Sequence, residues 1–237
     1  MPEKRIPFKK PSKKHEPKGL TILYEDQDIL VISKVNGLLS VSTDREKQKT
    51  AHFLLNNYVK KGNIRSKNRI FIVHRLDKDT SGILVFAKNE KAKRYLQDEW
   101  STFDKKYYAV VYGKLQDKEG IITSYLVENK IHRMYSVKDS SKGKFSKTGY
   151  KLLKESNKYS LLEIQLYTGR KNQIRVHLAE KGHPVIGDKM YGRPDKAIKR
   201  LGLHAASLSI IHPYSKEKML FETEVPAYFK SLLNSKL

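Results

Sequence analysis

A short polar segment lies between two apolar segments in the first third of the chain. It reads RLDKDTS over residues 75–81, after RIFIVH and before GILVFAK. A carboxylate on a loop between two strands can act as a nucleophile, because the strands hold it in place. Asp77 is the candidate, with Arg75 beside it and the hydroxyl groups of Thr80 and Ser81 available to orient it. Aspartate is also a common turn former, so the residue types alone leave both interpretations open.

The charge balance of the chain is strongly positive. There are 48 Lys and Arg residues against 25 Asp and Glu residues, which gives a formal net charge of +23. Such an excess favours polyanionic partners, above all nucleic acid, because each neutralised phosphate releases a counterion. An anionic membrane surface is the weaker interpretation of this charge. No apolar run is long enough to span a bilayer, and a membrane partner is not expected. The chain has no cysteine, which excludes a thiolate metal site and fits a cytoplasmic location.

The apolar pattern divides the chain into a basic tail and one folded region. Residues 1–19 are rich in lysine and proline and have little to bury, so we expect a disordered tail that tethers RNA or only solubilises the chain. Residues 20–237 are predicted to form a single domain. Strand-like segments outnumber helical ones and follow each other closely, which predicts an α+β fold with a mixed, largely antiparallel sheet and flanking helices.

Several local patterns predict individual elements. Three residues are expected to cap the N-termini of helices: Thr50, Asn89 and Thr168. The three helices are expected to end near Lys61, Phe103 and Gly182. The basic segment at residues 130–151, which interleaves lysines with Tyr135 and Phe145, is predicted to form a hairpin with its tip near residues 140–144. The histidines are dispersed without metal-ligand spacing, so no metal is expected.

The segment HRLDKDTSGILVFAKN resembles the signature of the RluA-type pseudouridine synthases, in which HRLD-x-x-TSG precedes an apolar strand. Four other segments resemble further motifs of this family in the same order: YEDQDILVISKVNGLLSV, KKYYAVVYG, TGRKNQIRVHLAEKGHPVIGDKMYG and LHAASLSIIHP. The resemblance extends over about residues 20–229. It implies an enzyme without a cofactor or metal that isomerises uridine to pseudouridine in structured ribosomal or transfer RNA.

The resemblance also implies roles for individual residues. Asp77 corresponds to the family's essential carboxylate, which attacks or stabilises the nucleoside while the glycosidic bond is cut and uracil rejoins the sugar through carbon 5. Tyr107 is expected to pack on the target base, and Arg175 to pair with the catalytic carboxylate. Arg75 is expected to fill the space that the flipped base leaves. The charge of the basic segment, rather than the resemblance, predicts RNA contacts by Lys142, Lys144 and Lys147. Thr80, Arg170 and Asn172 are also expected to contact RNA.

The chain departs from the family pattern at two positions. The first motif usually reads Lys-Pro, whereas this chain has Lys34 followed by Val35. The family commonly has histidine where this chain has Asn172. An asparagine forms hydrogen bonds but does not titrate, so no proton transfer is expected there.

Two other functions remain open at this stage. Glycoside hydrolysis would need a second carboxylate, for which Asp79 is the candidate. A non-catalytic RNA-binding or ribosome-associated protein would share the same charge. Many relatives carry an N-terminal RNA-binding domain of the S4 type, which the residues before Leu20 are too few to form. RNA selection is therefore expected to depend on the catalytic domain, the tail and the basic segment, in a protein that acts as a monomer.

Overall fold

The computed structural model describes residues 16–43, 46–63 and 65–234. These residues form two compact units, one within Met1–Phe103 and Ser207–Thr223 and the other within Asp104–Ala206 and Glu224–Leu237. Most of the predicted tail, residues 1–15, lies outside the described residues. The single domain expected over residues 20–237 stays a prediction.

The secondary structure contains more strands than helices. Among the described residues the strands are β1 (Leu20–Glu25), β2 (Ile29–Lys34), β3 (Phe71–Ile72), β4 (Ser81–Ala87), β5 (Asp104–Tyr112), β6 (Glu119–Glu128), β7 (Met134–Val137), β8 (Lys144–Glu155), β9 (Tyr159–Leu166), β10 (Leu203–Ile211) and β11 (Lys218–Glu222). The α-helices there are α1 (Ala51–Lys60), α2 (Glu90–Asp98), α3 (Gln173–Glu180) and α4 (Ala227–Asn234). No helix in these ranges has the length and apolar character needed to cross a membrane.

In the first unit, β2 pairs with β1 on one side and β4 on the other, both antiparallel. Every residue of β4 is buried, which explains why its sequence is a continuous apolar run rather than an alternating one. The helix α2 covers this part of the sheet by packing Ala92 and Leu96 against a core that includes Val31 and Val85. The polar loop around Asp77 is therefore connected to a strand that is buried throughout.

In the second unit, the strand order is β5-β9-β8-β6-β7, with every neighbouring pair antiparallel. Side chains alternate across this sheet. Ala109 belongs to a core with Ile174 and Leu178 of α3, whereas the next residue, Val110, belongs to a core with Phe229 of α4. The two helices therefore cover opposite faces of β5. The predicted fold class, α+β with a mixed, largely antiparallel sheet and flanking helices, is confirmed.

Two of the three predicted helix caps are confirmed. The Thr50 hydroxyl accepts a hydrogen bond from the Phe53 N–H at 3.1 Å, and the Asn89 side chain accepts one from the Ala92 N–H at 2.8 Å. The helix after Asn89 ends at Asp98 and continues only as a 3₁₀ turn, so it is shorter than predicted.

The third predicted cap is wrong. The residue that precedes α3 is Asn172, which has a φ of 53° and forms no side-chain cap hydrogen bond. Thr168 lies further upstream and donates its hydroxyl to the Gln173 side chain at 2.8 Å. Residues 169–172 form a loop, so α3 begins at Gln173 and not directly after Thr168. The predicted end at Gly182 is confirmed, since this glycine has a φ of +87°, a conformation that favours glycine after a helix.

The predicted hairpin at residues 130–151 is also wrong. The strands β7 and β8 do not pair with each other, because both pair with β6, which lies between them. Tyr125 of β6 is opposite Val137 on one side and Phe145 on the other. The alternating pattern identified the strands, but it contains no information about which neighbour each strand takes. The strand predicted before His74 is likewise reduced to the two residues of β3.

Candidate active site

The polar loop before β4 presents Asp77 beside an exposed arginine. Asp77 is half-buried, Arg75 is exposed and Thr80 is buried. The Thr80 N–H donates to the Asp77 carbonyl at 3.2 Å and so closes the turn. The structure therefore brings these three predicted site residues together in the first unit. Thr80 is the buried member, and its N–H holds the turn that carries Asp77.

A buried lysine anchors this loop. The Lys34 side chain is at the end of β2 and only 1% of its surface is exposed. Its ammonium donates to the carbonyl oxygens of Val35, Leu38 and Lys78 at 3.1, 2.8 and 3.0 Å. Three N–H donors thus meet three acceptors. Burial lowers the pKa of Lys34 to about 8, although the nearby Asp79 and Asp77 carboxylates act in the opposite direction.

The segment that follows Lys34 adds further hydrogen bonds to the same loop. The Gly37 N–H donates to the Lys78 carbonyl at 3.0 Å. The Ser40 hydroxyl donates to the Leu76 carbonyl at 2.7 Å and accepts from the Leu76 N–H at 3.1 Å. The backbone on both sides of Asp77 is therefore held by residues 34–40. Sequence reasoning noted Lys34 only as part of a motif and missed this function.

The Val35 departure has a clear structural counterpart. The Val35 N–H donates to the Gly19 carbonyl at 3.1 Å, a bond that proline cannot form because it has no N–H. The loop after Lys34 is still anchored. His74 has a structural role, because its Nε2 accepts the Val85 N–H at 3.2 Å and its ring stacks on Trp100 with 4.0 Å between centroids.

The second unit contains the other predicted catalytic residues. Tyr107 is half-buried on β5, opposite Ile164 of β9, and packs against the core beneath α3. Arg175 projects from α3 and is paired with Asp188, with Nε 2.7 Å from Oδ2 and Nη2 2.8 Å from Oδ1. Only 13% of the Arg175 side chain is exposed. Arg175 is therefore not a surface helix charge, and its pairing with the carboxylate of Asp77 stays a prediction.

Asp188 was not identified from the sequence, although it lies within the segment GHPVIGDKMYG. Its Oδ1 also accepts the backbone N–H groups of Met190 and Tyr191 at 2.9 and 3.0 Å. Burial would raise the pKa of Asp188, but the Arg175 guanidinium and these N–H groups outweigh it and hold the pKa below its usual value. An ionised Asp188 thus fixes the plane of the guanidinium at two points.

Asn172 holds Arg175 from another direction. Its side-chain oxygen accepts from Arg175 Nη1 at 3.0 Å, and its amide donates to the Tyr191 hydroxyl at 3.3 Å. Asparagine is one of the few residues enriched at positive φ, which suits the value of 53° at this position. The Tyr191 ring lies 5.2 Å from the Arg175 guanidinium and 5.1 Å from that of Arg133.

A chain of buried polar groups runs beneath α3. Gln173 donates to the Thr148 hydroxyl at 2.8 Å, and Thr148 lies 2.9 Å from His177 Nδ1. On its other side, His177 Nε2 lies 2.9 Å from the Ser124 hydroxyl. The chain continues at the surface from Ser124 through Ser136 to Glu180.

The carboxylate at the end of this chain determines the direction of every bond. The Ser136 hydroxyl has one proton and donates it to Glu180, which can only accept. Ser124 must then donate to Ser136, 3.0 Å away, and accept from His177. The His177 proton is therefore on Nε2, and Nδ1 accepts from Thr148. Burial lowers the pKa of His177 to about 4, although Glu180 opposes this shift, so the ring is neutral near pH 7.

The predicted RNA-contacting cations of the second unit occupy different positions. Lys142 is exposed and pairs with Asp139 at 3.2 Å, and Lys144 is exposed at the start of β8. Lys147 lies over the Tyr167 ring, with Nζ 4.7 Å from its centroid. Arg170 donates from Nε to the Phe145 carbonyl at 3.2 Å. These cations therefore lie in the loop before α3, on β8 and just before β8, and they do not belong to a single hairpin.

The neutral His177 predicts a specific response to acid. Between pH 6.5 and pH 4 the unfolded chain takes up a proton that the folded His177 does not, so the free energy of unfolding should decrease as the pH falls through this range. Nitrogen-15 NMR of the imidazoles should show an Nε2-protonated ring that stays neutral below pH 5, with His177→Gln to assign the signals. A ring that titrates near 6.5, or that has its proton on Nδ1, would contradict the assigned bond directions.

The Lys34 anchor makes a second prediction. Replacing Lys34 with methionine keeps most of the length of the side chain but removes the donor to the Val35 and Leu38 carbonyl oxygens and one of the two donors to that of Lys78. We expect the free energy of unfolding in urea to fall by about 1–3 kcal/mol. Lys91→Met, on the exposed surface of α2, is the matched control and should change it by less than about 0.5 kcal/mol. Equal stability of the two variants would show that the Lys34 contacts do not stabilise the loop.

Comparisons with known proteins identify the family. Residues 28–180 match the family described as RNA pseudouridylate synthase. An uncharacterized RNA pseudouridine synthase of Bacillus subtilis, YhcT, is 37% identical over 90% of this chain and 71% of its own length. Ribosomal large subunit pseudouridine synthase D of Nitrosomonas europaea is 36% identical over 91% of this chain and 65% of its own length.

A solved structure supports the same conclusion at the level of the fold. Human RNA pseudouridylate synthase domain containing 4 superimposes with a TM-score of 0.73, covers 88% of this chain and 90% of its own length, and is 24% identical. The RluA-type resemblance seen in the motifs is thus confirmed. The chain belongs to the RNA pseudouridylate synthase family, whose members isomerise uridine within RNA.

Proposed function

We propose that this pseudouridine synthase modifies specific uridines in ribosomal RNA, with Asp77 as its catalytic carboxylate. The observation that carries the proposal is the Asp77 loop, in which the signature sequence of the family is held by the Lys34 ammonium and by the backbone and side chains of residues 36–40. The name of the Nitrosomonas europaea relative supports ribosomal RNA as the substrate. Transfer RNA is the alternative substrate.

The reaction needs little beyond a positioned carboxylate. The Asp77 carboxylate attacks or stabilises the nucleoside while the bond between N1 of uracil and the sugar breaks. The freed base turns and forms a bond from carbon 5 to the same sugar carbon, and the proton on carbon 5 is lost while one is gained at nitrogen 1. The product has the same atoms and electrons as the substrate, so no oxidant, reductant or group donor enters the balance.

The other predicted residues support this reaction in distinct ways. Tyr107, half-buried against a rigid core, would pack on the target base and assist removal of the proton from carbon 5. Arg175, fixed by Asp188 and Asn172, would keep the catalytic carboxylate ionised. Arg75 is exposed and would stack in the duplex where the flipped base was. Lys142, Lys144, Lys147 and Arg170 would contact phosphates. A monomeric, cytoplasmic enzyme stays a prediction.

Substitution of Asp77 tests the proposal directly. Asp77→Asn should lower the rate of pseudouridine formation by on the order of a thousandfold or more, because the amide is not a nucleophile. RNA binding should change by less than about threefold, which separates an enzyme from a non-catalytic RNA-binding protein. Asp79→Asn, an exposed carboxylate in the same loop, is the matched control and should stay active.

The substrate is identified by mapping pseudouridines in total RNA from cells with and without the gene. We expect one or more sites in ribosomal RNA to disappear and to return when the unsubstituted gene, but not Asp77→Asn, is supplied. Loss of sites only in transfer RNA would overturn the ribosomal assignment. An unchanged map would contradict the proposed function itself.

The pair of Arg175 and Asp188 gives a further prediction. Asp188→Asn keeps an oxygen for the Met190 and Tyr191 N–H groups but removes the charge that fixes the guanidinium. We expect kcat to fall by about tenfold or more while KM for RNA changes by less than about threefold, a loss of about 1.4 kcal/mol that is realised in the transition state. Asp117→Asn removes an exposed partner of Lys181 in the same unit and should leave both constants unchanged. An effect on KM alone would show that Asp188 serves RNA binding instead.

A further inference from the structure

One face of the sheet in the second unit carries aromatic side chains that the proposed reaction does not use, beside two of the cations that are proposed to contact phosphates. Tyr125 of β6 and Phe145 and Lys147 of β8 project to the same face, because they are separated by even steps along β8 and paired in register across β6. Tyr167, just after β9, and Arg170 lie beside them. We call these five residues the aromatic-basic patch.

The rings of the patch are held in place but open to solvent. Tyr125 and Phe145 are direct cross-strand partners with 5.8 Å between ring centroids and an angle of 61°. Phe145 and Tyr167 are each 46% exposed. The Lys147 ammonium lies 4.7 Å from the Tyr167 ring centroid, and the Arg170 guanidinium is fixed by the Phe145 carbonyl.

A glycine determines the position of the Tyr167 ring. A Cβ atom at Gly149 would lie 3.2 Å from Tyr167 Cε2, closer than ordinary contact distance. The missing side chain therefore lets the ring lie directly against β8. The ring covers the glycine on one side, and nearly half of its surface remains accessible.

The charge of this face changes along β8. Opposite Phe145 and Lys147 the register places the uncharged Tyr125 and Thr123. Four residues beyond Lys147, Lys151 is opposite Glu119 on one side and Glu163 on the other. Glu119 and Glu163 thus flank Lys151, whereas the five residues of the patch include the cations Lys147 and Arg170 and no carboxylate.

We propose that the aromatic-basic patch binds unpaired bases of RNA, which stack on Phe145 and Tyr167 while Lys147 and Arg170 contact the adjacent phosphates. Exposed rings with interleaved cations on a sheet are the arrangement that binds single-stranded nucleic acid with little sequence preference. Tyr107 lies on the opposite face, opposite Ile164 and against the core beneath α3. The patch is therefore a second RNA contact, separate from the position of the target base, and it takes a single-stranded segment flanking the modified site. The identification of RNA as the ligand of the patch rests on the proposed function.

Fluorescence anisotropy of the full chain with a fluorescein-labelled single-stranded oligouridylate of about ten nucleotides tests the patch. Phe145→Leu and Tyr167→Leu each keep an apolar side chain but remove the aromatic ring on which a base would stack. The leucine at position 167 still covers Gly149. Each should weaken binding by about fivefold or more. Lys147→Ala should also weaken binding and reduce the slope of log affinity against log salt by about 1.

Matched controls come from the same strand and residue types. Leu153→Ala removes another exposed apolar side chain of β8, Lys151→Ala removes the lysine between the two glutamates, and Tyr214→Leu removes a tyrosine that is 82% exposed. These variants should bind within about twofold of the unsubstituted protein, and melting temperatures should show that all variants fold.

Two outcomes would overturn the proposal. One is unchanged binding by folded Phe145→Leu and Tyr167→Leu, which would mean that the rings do not stack on bases. The other is an equal loss in the controls, which would mean that the oligonucleotide responds only to bulk charge. Asp77→Asn leaves the patch intact and should bind the oligonucleotide as the unsubstituted protein does. The patch and the catalytic assignment can therefore fail independently.

Discussion

A buried polar group must find a partner, and this requirement shapes both parts of the molecule. In the first unit the group that needs partners is the ammonium of Lys34, a side chain that is almost completely buried. It is satisfied by three carbonyl oxygens, one of them on Lys78, 44 positions further along the chain. Since Lys78 follows Asp77 directly, the bond that neutralises the cost of burying a cation also fixes the backbone next to the proposed catalytic carboxylate. The stability of the core and the geometry of the loop are thus one constraint.

In the second unit the same requirement positions α3. A helix of eight residues is too short to be stable alone, so its orientation depends on tertiary contacts. Its apolar residues Ile174 and Leu178 supply packing, which allows some sliding. Hydrogen bonds prevent this sliding, because a hydrogen bond tolerates little change in distance or angle. Gln173 and His177 form them with Thr148, and His177 also with Ser124. Arg175 projects from a helix that is held in a single register by these bonds.

The sequence predicted the parts of this structure that depend on neighbouring residues. The caps at Thr50 and Asn89 and most of the apolar strands follow local rules and were correct. The pairing of β7 and β8 with β6 depends on contacts that alternation does not encode. Lys34 and Asp188 were missed for a related reason, since a lysine is normally exposed and a loop aspartate is normally a turn former. Asp77 itself was identified by its motif, because nothing in its residue type distinguishes it from Asp79.

The two departures from the family pattern show which features of the site are dispensable. At Val35 the chain gains a backbone hydrogen bond to Gly19, and the adjacent Lys34 keeps all its acceptors, so proline is not required to anchor the loop. At Asn172 both ends of the amide are used, one toward Arg175 and the other toward Tyr191. An amide neither gains nor loses a proton near neutral pH. The side chain at this position therefore orients the guanidinium of Arg175 by hydrogen bonding, and a titratable group there is not needed for that task.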